Sequence, residues 1–164
     1  MRFYDVVADP ELVGSGICKE IGLDLVFLAP GKGERGMPDA PAYLSDGRNA
    51  TTLLKSGAKC AVADVLEIPT DLPQYMKAEG IPILVPLHGI LASASFERVR
   101  LIRKTSRFYN DMRKSGVTCI FVSMAASADY LLSRMQLSSL SLMLGGGREK
   151  AVASNGMLPS IFGD

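Results

Sequence analysis

The chain has 164 residues, with 18 basic and 17 acidic side chains and a net charge of +1. This length fits one domain of residues 1–164 and is sufficient for a sizeable core. An apolar content of 48%, a charged content of 21% and the lack of any run of 18 apolar residues exclude disordered and membrane-spanning classes. The first residues carry no apolar signal region, so we expect a cytoplasmic protein with no membrane partner.

The three cysteines are an odd number and stand far apart, at Cys18, Cys60 and Cys119. Each lies in an apolar segment, where a small hydrophobic side chain would serve equally well. We therefore expect reduced core cysteines, which are typical of cytosolic proteins.

The first thirty residues predict a strand, a helix and a second strand. Residues 2–7 form the first strand, and Asp9 is placed to cap a helix that starts with Pro10 and ends at Gly22. Residues 23–29 form the second strand. A unit of this kind predicts a parallel sheet.

A literal G-x-G-x-x-G pattern follows at residues 31–36, where dinucleotide-binding folds carry their phosphate loop. That loop works by leading into a helix N-terminus, but Pro38 and Pro41 forbid the helix here. We interpret the segment as a loop. Lys32 and Arg35 could still contact a polyanion from it.

The middle of the chain predicts further β/α units and contains the best case for an enzyme. We expect strands over 42–44, 61–68 and 81–87 and helices over 50–56 and 73–79. Asp64, Glu67 and His88 fall in or at the ends of these strands, where barrel enzymes place catalytic groups. The alternative for His88, the only histidine, is a hydrogen-bonded structural residue.

Residues 97–114 form a basic amphipathic helix. Spacing of about 100 degrees per residue puts five cations on one arc and five apolar residues opposite. The cations are Arg100, Arg103, Lys104, Arg107 and Lys114, and the apolar residues are Val99, Leu101, Ile102, Tyr109 and Met112. Gly116 ends the helix, and a buried strand over 117–122 follows. The helix should therefore pack on the sheet with its cations in solvent.

The charge of this helix differs from that of the rest of the chain. Residues 97–114 contain seven cations and two acids, whereas the remaining residues contain 11 cations and 15 acids. Most of the helix cations are arginines, Arg98 included, and arginine suits bidentate contacts with phosphate. We predict a phosphate-binding face; the alternative is an ordinary solvated helix.

The last forty residues predict helices over 128–135, 138–144 and 148–154, with glycines 145–147 as a helix end. Ser123, at the end of the preceding strand, and Arg134 are two further candidates for phosphate contacts, since barrels bind ligands at this edge. Arg134 could instead form an intramolecular ion pair. We find no paired metal-ligand spacing and no nucleophile motif, so we assign no catalytic residue, metal or cofactor.

Six stretches together carry a resemblance to a known family. They are residues 3–6, 63–66, Arg98 with Arg100, 122–134, 140–147 and 151–162. The most specific is the last third, where a small-residue turn, an Arg-bearing helix, a glycine stop and a short helix before Pro159 succeed one another. The chain resembles the ribonuclease P protein component 3 family, an archaeal and eukaryotic type of subunit, over most of its length.

The resemblance implies a barrel related to the polymerase and histidinol phosphatase metal hydrolases. It implies a non-catalytic subunit that helps an RNA enzyme remove 5′ leaders from precursor tRNA. The implied partners are the ribonuclease P RNA, precursor tRNA, the protein called component 2 and other ribonuclease P protein subunits. The residues expected to bind RNA are Arg98, Arg100, Arg103, Lys104, Arg107, Lys114, Ser123 and Arg134.

The sequence departs from the family in two ways. It is short by about one β/α unit in its middle third, and complete eight-fold barrels take about 250 residues. Asp5 and Asp9 also stand where the related hydrolases have histidines. We expect an α/β fold, a parallel β/α barrel-like domain related to the TIM barrel and incomplete relative to eight units. The alternative function is a small β/α-barrel enzyme that uses Asp5, Asp64, Glu67 and His88.

Overall fold

A computed structural model describes residues 4–29, 42–43, 50–55, 57–63, 66, 71–147 and 155–162. Strands and helices are mixed along these ranges, as expected for an α/β fold. The strands are β1 (Tyr4–Val7), β2 (Leu25–Leu28), β3 (Ala42–Tyr43), β4 (Ala61–Val62), β5 (Ile83–Pro86) and β6 (Cys119–Val122). The α-helices are α1 (Gly16–Glu20), α2 (Ala50–Lys55), α3 (Leu72–Glu79), α4 (His88–Ala92), α5 (Ser95–Ser115), α6 (Arg134–Met143) and α7 (Leu158–Phe162).

The strands form two parallel sheets. β1 pairs with β2, and β3, β4, β5 and β6 pair in that order. The register puts Tyr4 beside Leu25 in the first sheet and Ile83 beside Cys119 in the second. The predicted parallel sheet is confirmed.

Backbone hydrogen bonds connect the two sheets just beyond β6. The N–H of Met124 donates to the carbonyl of Val6 over 2.8 Å, and the N–H of Ala8 donates to the carbonyl of Ala125 over 2.9 Å. Met124 reaches this position with a φ of 49°, in the left-handed region. β1 therefore lies next to the segment that leaves β6, and these bonds connect the edges of the two sheets.

Alternating strand residues feed two apolar clusters, because successive side chains of a strand point to opposite faces. One face of the strands packs on the helices, and its members include Val7 and Val85 with Phe108 and Met112 of α5. The other face forms a second cluster with α7. That cluster comprises Val6, Phe27, Cys60, Val62, Leu84, Ile120, Val122, Leu158 and Ile161.

The basic helix is confirmed as α5, with Gly116 at its C-terminus in the left-handed conformation (φ 83°). Its buried residues are Thr105, Phe108, Tyr109 and Met112. The ring of Tyr109 lies 5.1 Å from the ring of Phe121 in β6, so α5 packs on the sheet as expected. Val99 differs from the prediction, since 46% of it is exposed.

The predicted helix from Pro10 to Gly22 is wrong as a continuous element. A 3₁₀ turn at Pro10–Leu12 is followed by α1. Gly14 lies between them with a φ of 77°, which breaks the helical backbone. The predicted cap is confirmed, because the Asp9 side chain accepts from the Glu11 N–H. A left-handed glycine between short amphipathic stretches thus ends the first turn.

The predicted helices over 128–135 and 138–144 are also wrong in their bounds. A 3₁₀ turn occupies Ala128–Tyr130, and α6 then runs without a break through the expected gap at residues 136–137. Ser133 and Gln136 form a reciprocal capping box at its start. The S-x-x-Q spacing was the available signal for this N-terminus.

Several other predictions are refined. In the expected strand over 61–68, regular pairing covers Ala61–Val62 among the described residues. α4 and α7 were not predicted as helices, and α7 carries Pro159 in its first turn, where proline is tolerated. The G-x-G-x-x-G segment and the helix over 148–154 lie outside the described residues. In the part of the chain that the structure describes, no helix is long and apolar enough to cross a bilayer.

Candidate nucleic-acid interface

The cationic arc of α5 lies in solvent. Each of its five members is exposed, as is Arg98 in the first turn. Burial of Phe108 and Met112 against the sheet fixes the rotation of the helix, and the arc therefore faces away from the core. The structure brings these predicted residues together on one surface.

Arg98 and Arg100 have intramolecular partners. Arg98 donates from Nε to the Ser93 carbonyl over 2.7 Å and from Nη2 to the Leu91 carbonyl over 3.3 Å. It thereby fastens the first turn of α5 to the end of α4. Arg100 donates from Nη2 to Glu97 Oε1 over 2.8 Å, with both side chains about half exposed (55% and 46%). Such a surface pair is worth under about 0.5 kcal/mol and yields easily to a stronger anion.

Three other cations of the arc have different surroundings. Arg103, Arg107 and Lys114 form no ion pair with any residue that the structure describes. Their guanidinium and ammonium groups therefore have their donors turned to water. The same helix face also carries the exposed acid Asp111, but cations outnumber acids there, so the face has a local positive potential that attracts polyanions.

Ser123 is buried and takes part in the joint between the sheets. Its Oγ accepts from the Ala125 N–H over 3.2 Å and lies 3.5 Å from the Val6 carbonyl. Its side chain is fully enclosed, so its hydroxyl is not on the surface that carries the α5 cations. The predicted RNA contact of Ser123 stays a prediction.

The Asp5 carboxylate of β1 also contacts the segment that connects the two sheets. Oδ1 accepts from the N–H of Val6 and from the N–H of Ser123, each over 2.8 Å. Oδ2 is buried and has no hydrogen-bond partner among the residues that the structure describes. Burial raises the pKa of the Asp5 carboxyl to about 6, although its hydrogen bonds with Ser123 and Val6 act to lower it. Asp5 therefore has a structural use that accounts for its burial.

His88 is the other described member of the enzyme hypothesis. It begins α4, with one residue between it and the end of β5, near the strand end where the sequence placed it. Its ring makes an edge contact with Tyr130, with centroids 5.1 Å apart. Its Nδ1 is buried without a hydrogen-bond partner in the described part of the chain. Asp64 and Glu67 lie outside the described residues.

Arg134 is exposed and is the first residue of α6. Its backbone N–H donates to the carbonyl of Ile21 over 3.4 Å, which connects the start of α6 to the end of α1. Its predicted RNA contact stays a prediction.

A cavity of about 440 Å³ lies at the opposite edge of the sheet from His88. Its lining includes Ala58, Lys59, Ile81 and Pro82, which precede β4 and β5, and Ser160 of α7. Among the described residues, no three His, Cys, Asp or Glu side chains are grouped closely enough to hold a metal ion.

The three cysteines are buried and unpaired by disulfides, at Cys18, Cys60 and Cys119. Burial raises the pKa of the Cys60 and Cys119 thiols to about 12, which keeps them protonated at neutral pH. The expectation of core cysteines is confirmed.

Sequence reasoning missed Phe96 at the start of α5. It is 81% exposed, more than any other large apolar residue in the described ranges. Extending the 100-degree plot of residues 97–114 back by one residue would have placed Phe96 on the cationic arc.

No family model matches the sequence, and a search of curated proteins gives no match.

Proposed function

We propose that this chain is a non-catalytic protein subunit of ribonuclease P, of the component 3 type. In this role it binds the ribonuclease P RNA and precursor tRNA while the RNA carries out removal of the 5′ leader. It acts in the cytoplasm, in agreement with its reduced, buried cysteines.

The observation that carries the proposal is the exposed cationic arc of α5. A near-neutral chain concentrates its positive charge on one rigid helix of 21 residues. The guanidinium group of arginine can form two hydrogen bonds with one phosphate. A row of cations along a helix suits a nucleic-acid backbone, because each phosphate contact releases a condensed counterion and so adds to the affinity. A cationic surface of this kind could bind any polyanion, and the sequence resemblance selects the RNA of ribonuclease P as the ligand.

A reduced β/α barrel is the architecture that accompanies this function. All strand pairs in the described ranges are parallel, and the hydrogen bonds of Met124 and Ala8 link β1 to the segment that follows β6. The apolar cluster shared by β1, β2, β4, β5 and β6 supports a sheet that curves around one interior. Pairing of β2 with β3 is the step that would close it.

Protein partners belong to the same proposal. Component 2 is the partner that the resemblance implies, together with other protein subunits of the ribonucleoprotein. Electrostatic contacts of α5 position the RNA but do not read its sequence, so the choice of RNA depends on the assembled particle.

Purification of the tagged chain from its native cell, followed by sequencing of the bound RNA, tests the proposal. We expect enrichment of one structured RNA, the ribonuclease P RNA, over total RNA. A parallel purification of the Arg103→Glu, Arg107→Glu variant should show reduced recovery of that RNA with an unchanged protein yield. Recovery of a small molecule or of no RNA by the parent protein would overturn the proposal.

A further inference from the structure

Phe96 adds an aromatic surface to the cationic arc. On a helix with 3.6 residues per turn, Phe96 lies within about 40 degrees of Arg100, Arg103, Arg107 and Lys114. It precedes Arg100 by one turn and Arg103 by two. The arc therefore begins with an exposed ring and continues as a row of cations.

Exposure by itself does not mark a site, because single exposed apolar residues are common on protein surfaces. Phe96 differs from the others in type and position. The other large apolar side chains exposed in the described ranges are aliphatic or methionine: Val13, Ile17, Leu28, Val99, Met135, Leu142 and Met143. Phe96 alone among them combines an aromatic face with arginines on its own side of a helix.

The start of α5 holds this ring in a defined place. Arg98 binds the carbonyls of Ser93 and Leu91, and Ser95 adopts a left-handed φ of 47° where the chain enters the helix. α4 and α5 are joined by two residues and pack on each other, with the side chain of Leu101 facing Gly89. The backbone beneath Phe96 is thus fixed before any ligand binds, which lowers the entropic cost of using it.

We propose that Phe96 is a stacking platform for an unpaired base of the RNA, whose phosphates are then held by Arg100 and Arg103. Aromatic rings of proteins bind single-stranded nucleic acid in this way, with cations beside them for the backbone. Sequence-specific and loop-specific recognition of RNA uses unstacked bases, since the edges of bases in an A-form duplex are hard to reach. The inference rests on the proposed function and names the element of RNA that α5 contacts: a single-stranded loop or end.

The test measures binding of the full chain to two fluorescent RNAs of equal length, single-stranded oligoadenylate and a blunt duplex. Stacking on one base accounts for roughly 5- to 150-fold in affinity. Phe96→Ala should therefore weaken binding to oligoadenylate by that factor and leave the duplex affinity and the salt slope unchanged. Phe96→Tyr should bind as the parent does, whereas Phe96→Leu should behave as the alanine variant because it lacks a π-face.

Met135→Ala is the matched control, since Met135 is 78% exposed but lies on α6. Oligoadenylate affinity that is equal in the parent, Phe96→Ala and Phe96→Leu, while Arg103→Glu weakens it, would overturn the stacking role and leave the proposed function standing. No RNA binding by the parent at low salt would overturn both. Loss of a protein complex in Phe96→Ala, with RNA affinity intact, would identify a protein contact and overturn stacking.

Discussion

Asp5 Oδ1 accepts a hydrogen bond from the Ser123 backbone N–H over 2.8 Å, although 118 residues separate the two in the sequence. The same oxygen accepts from the Val6 N–H. One carboxylate thus satisfies two backbone donors at the place where β1 and the end of β6 meet. A buried N–H without an acceptor costs about 1 to 3 kcal/mol, so the side chain stabilises the connection between the two sheets.

The pH dependence of stability should reveal this carboxylate. Its pKa is raised from 3.8 to about 6 in the folded chain, so the folded state binds more protons than the unfolded state between these values. The contribution of Asp5 to the free energy of unfolding is therefore largest below pH 3.8 and is lost as pH rises through 6. Asp5→Asn keeps an acceptor and removes the charge. The parent should lose about 3 kcal/mol of unfolding free energy from this group between acid and neutral pH, and the variant should not. The free energy of unfolding of the variant minus that of the parent should therefore rise by about 3 kcal/mol over this range.

Urea denaturation of the parent and of Asp5→Asn at several pH values provides the measurement. The difference between the two proteins isolates Asp5 from the other carboxyl groups of the chain. Asp111→Asn, on the exposed side of α5, controls for the substitution itself. If the free energy of unfolding of the variant minus that of the parent falls as pH rises, the two N–H donors lower the pKa of Asp5 more than burial raises it.

The Asp5 contact also illustrates what the sequence could not predict. Local patterns predicted α5, because the apolar period persists over many turns and Gly116 supplies a distinct stop. They also predicted the parallel strands, since each strand is a short apolar run between turn residues. A contact between residues 5 and 123 depends on the order of strands, which no local pattern encodes.

The boundaries that sequence reasoning missed have local causes. Gly14 in the left-handed conformation divides the first predicted helix, and the capping box of Ser133 and Gln136 sets the start of α6. Apolar periodicity reports the faces of a helix but is insensitive to one-turn interruptions. Of the candidate interface, the α5 cations were identifiable from spacing, whereas the burial of Ser123 was not.

The rotation of α5 can be tested through stability. Phe108 is 4% exposed in the core, and truncation of a buried phenylalanine to alanine costs about 3 to 5 kcal/mol. Arg107 is its neighbour in sequence but is exposed, so Arg107→Ala should cost under about 1 kcal/mol. Chemical denaturation of both variants measures the contrast. Similar losses in the two variants would mean that the cationic arc is not the solvent face.

We expect the isolated chain neither to hydrolyse phosphoesters nor to bind a divalent metal tightly. The sequence has one histidine and no ligand spacing for a polynuclear site, and the Asp5 Oδ1 already accepts two hydrogen bonds. Metal analysis after dialysis, with a phosphatase assay in Mn²⁺, checks this. Stoichiometric Zn²⁺ or Mn²⁺, and activity lost in Asp5→Asn or His88→Ala, would contradict it and favour the enzyme hypothesis.

We also expect a stable complex with component 2. The reason is the resemblance to the component 3 family, whose members are expected to work paired with component 2. Sedimentation of the two purified proteins, alone and mixed at micromolar concentration, should show a faster species in the mixture. Repeating the run at high salt separates an apolar interface from one held by charge, since salt screens only the second. Independent sedimentation at both salt concentrations would count heavily against the pairing.

The last prediction concerns the way in which α5 holds RNA. If its five arc cations neutralise about five phosphates, log affinity should fall with log salt at a slope of roughly −3.5 to −4.5. Tripling the salt should then weaken binding roughly 50- to 150-fold. Because these contacts are to the backbone, Arg103→Glu with Arg107→Glu should weaken binding to related and unrelated structured RNA alike and should lower the slope.

Arg113→Glu is the matched control for this titration. Arg113 is exposed on the same helix but lies about 100 degrees around it from the midpoint of Arg103 and Arg107. Arg113→Glu makes the same change in charge as Arg103→Glu or Arg107→Glu. If only the net charge of the helix mattered, all three single variants would weaken RNA binding equally. A phosphate-binding arc would respond mainly to Arg103 and Arg107. If the double variant keeps the parent's slope and affinity while it stays folded, the arc is merely solvated and RNA binding must lie elsewhere on the chain.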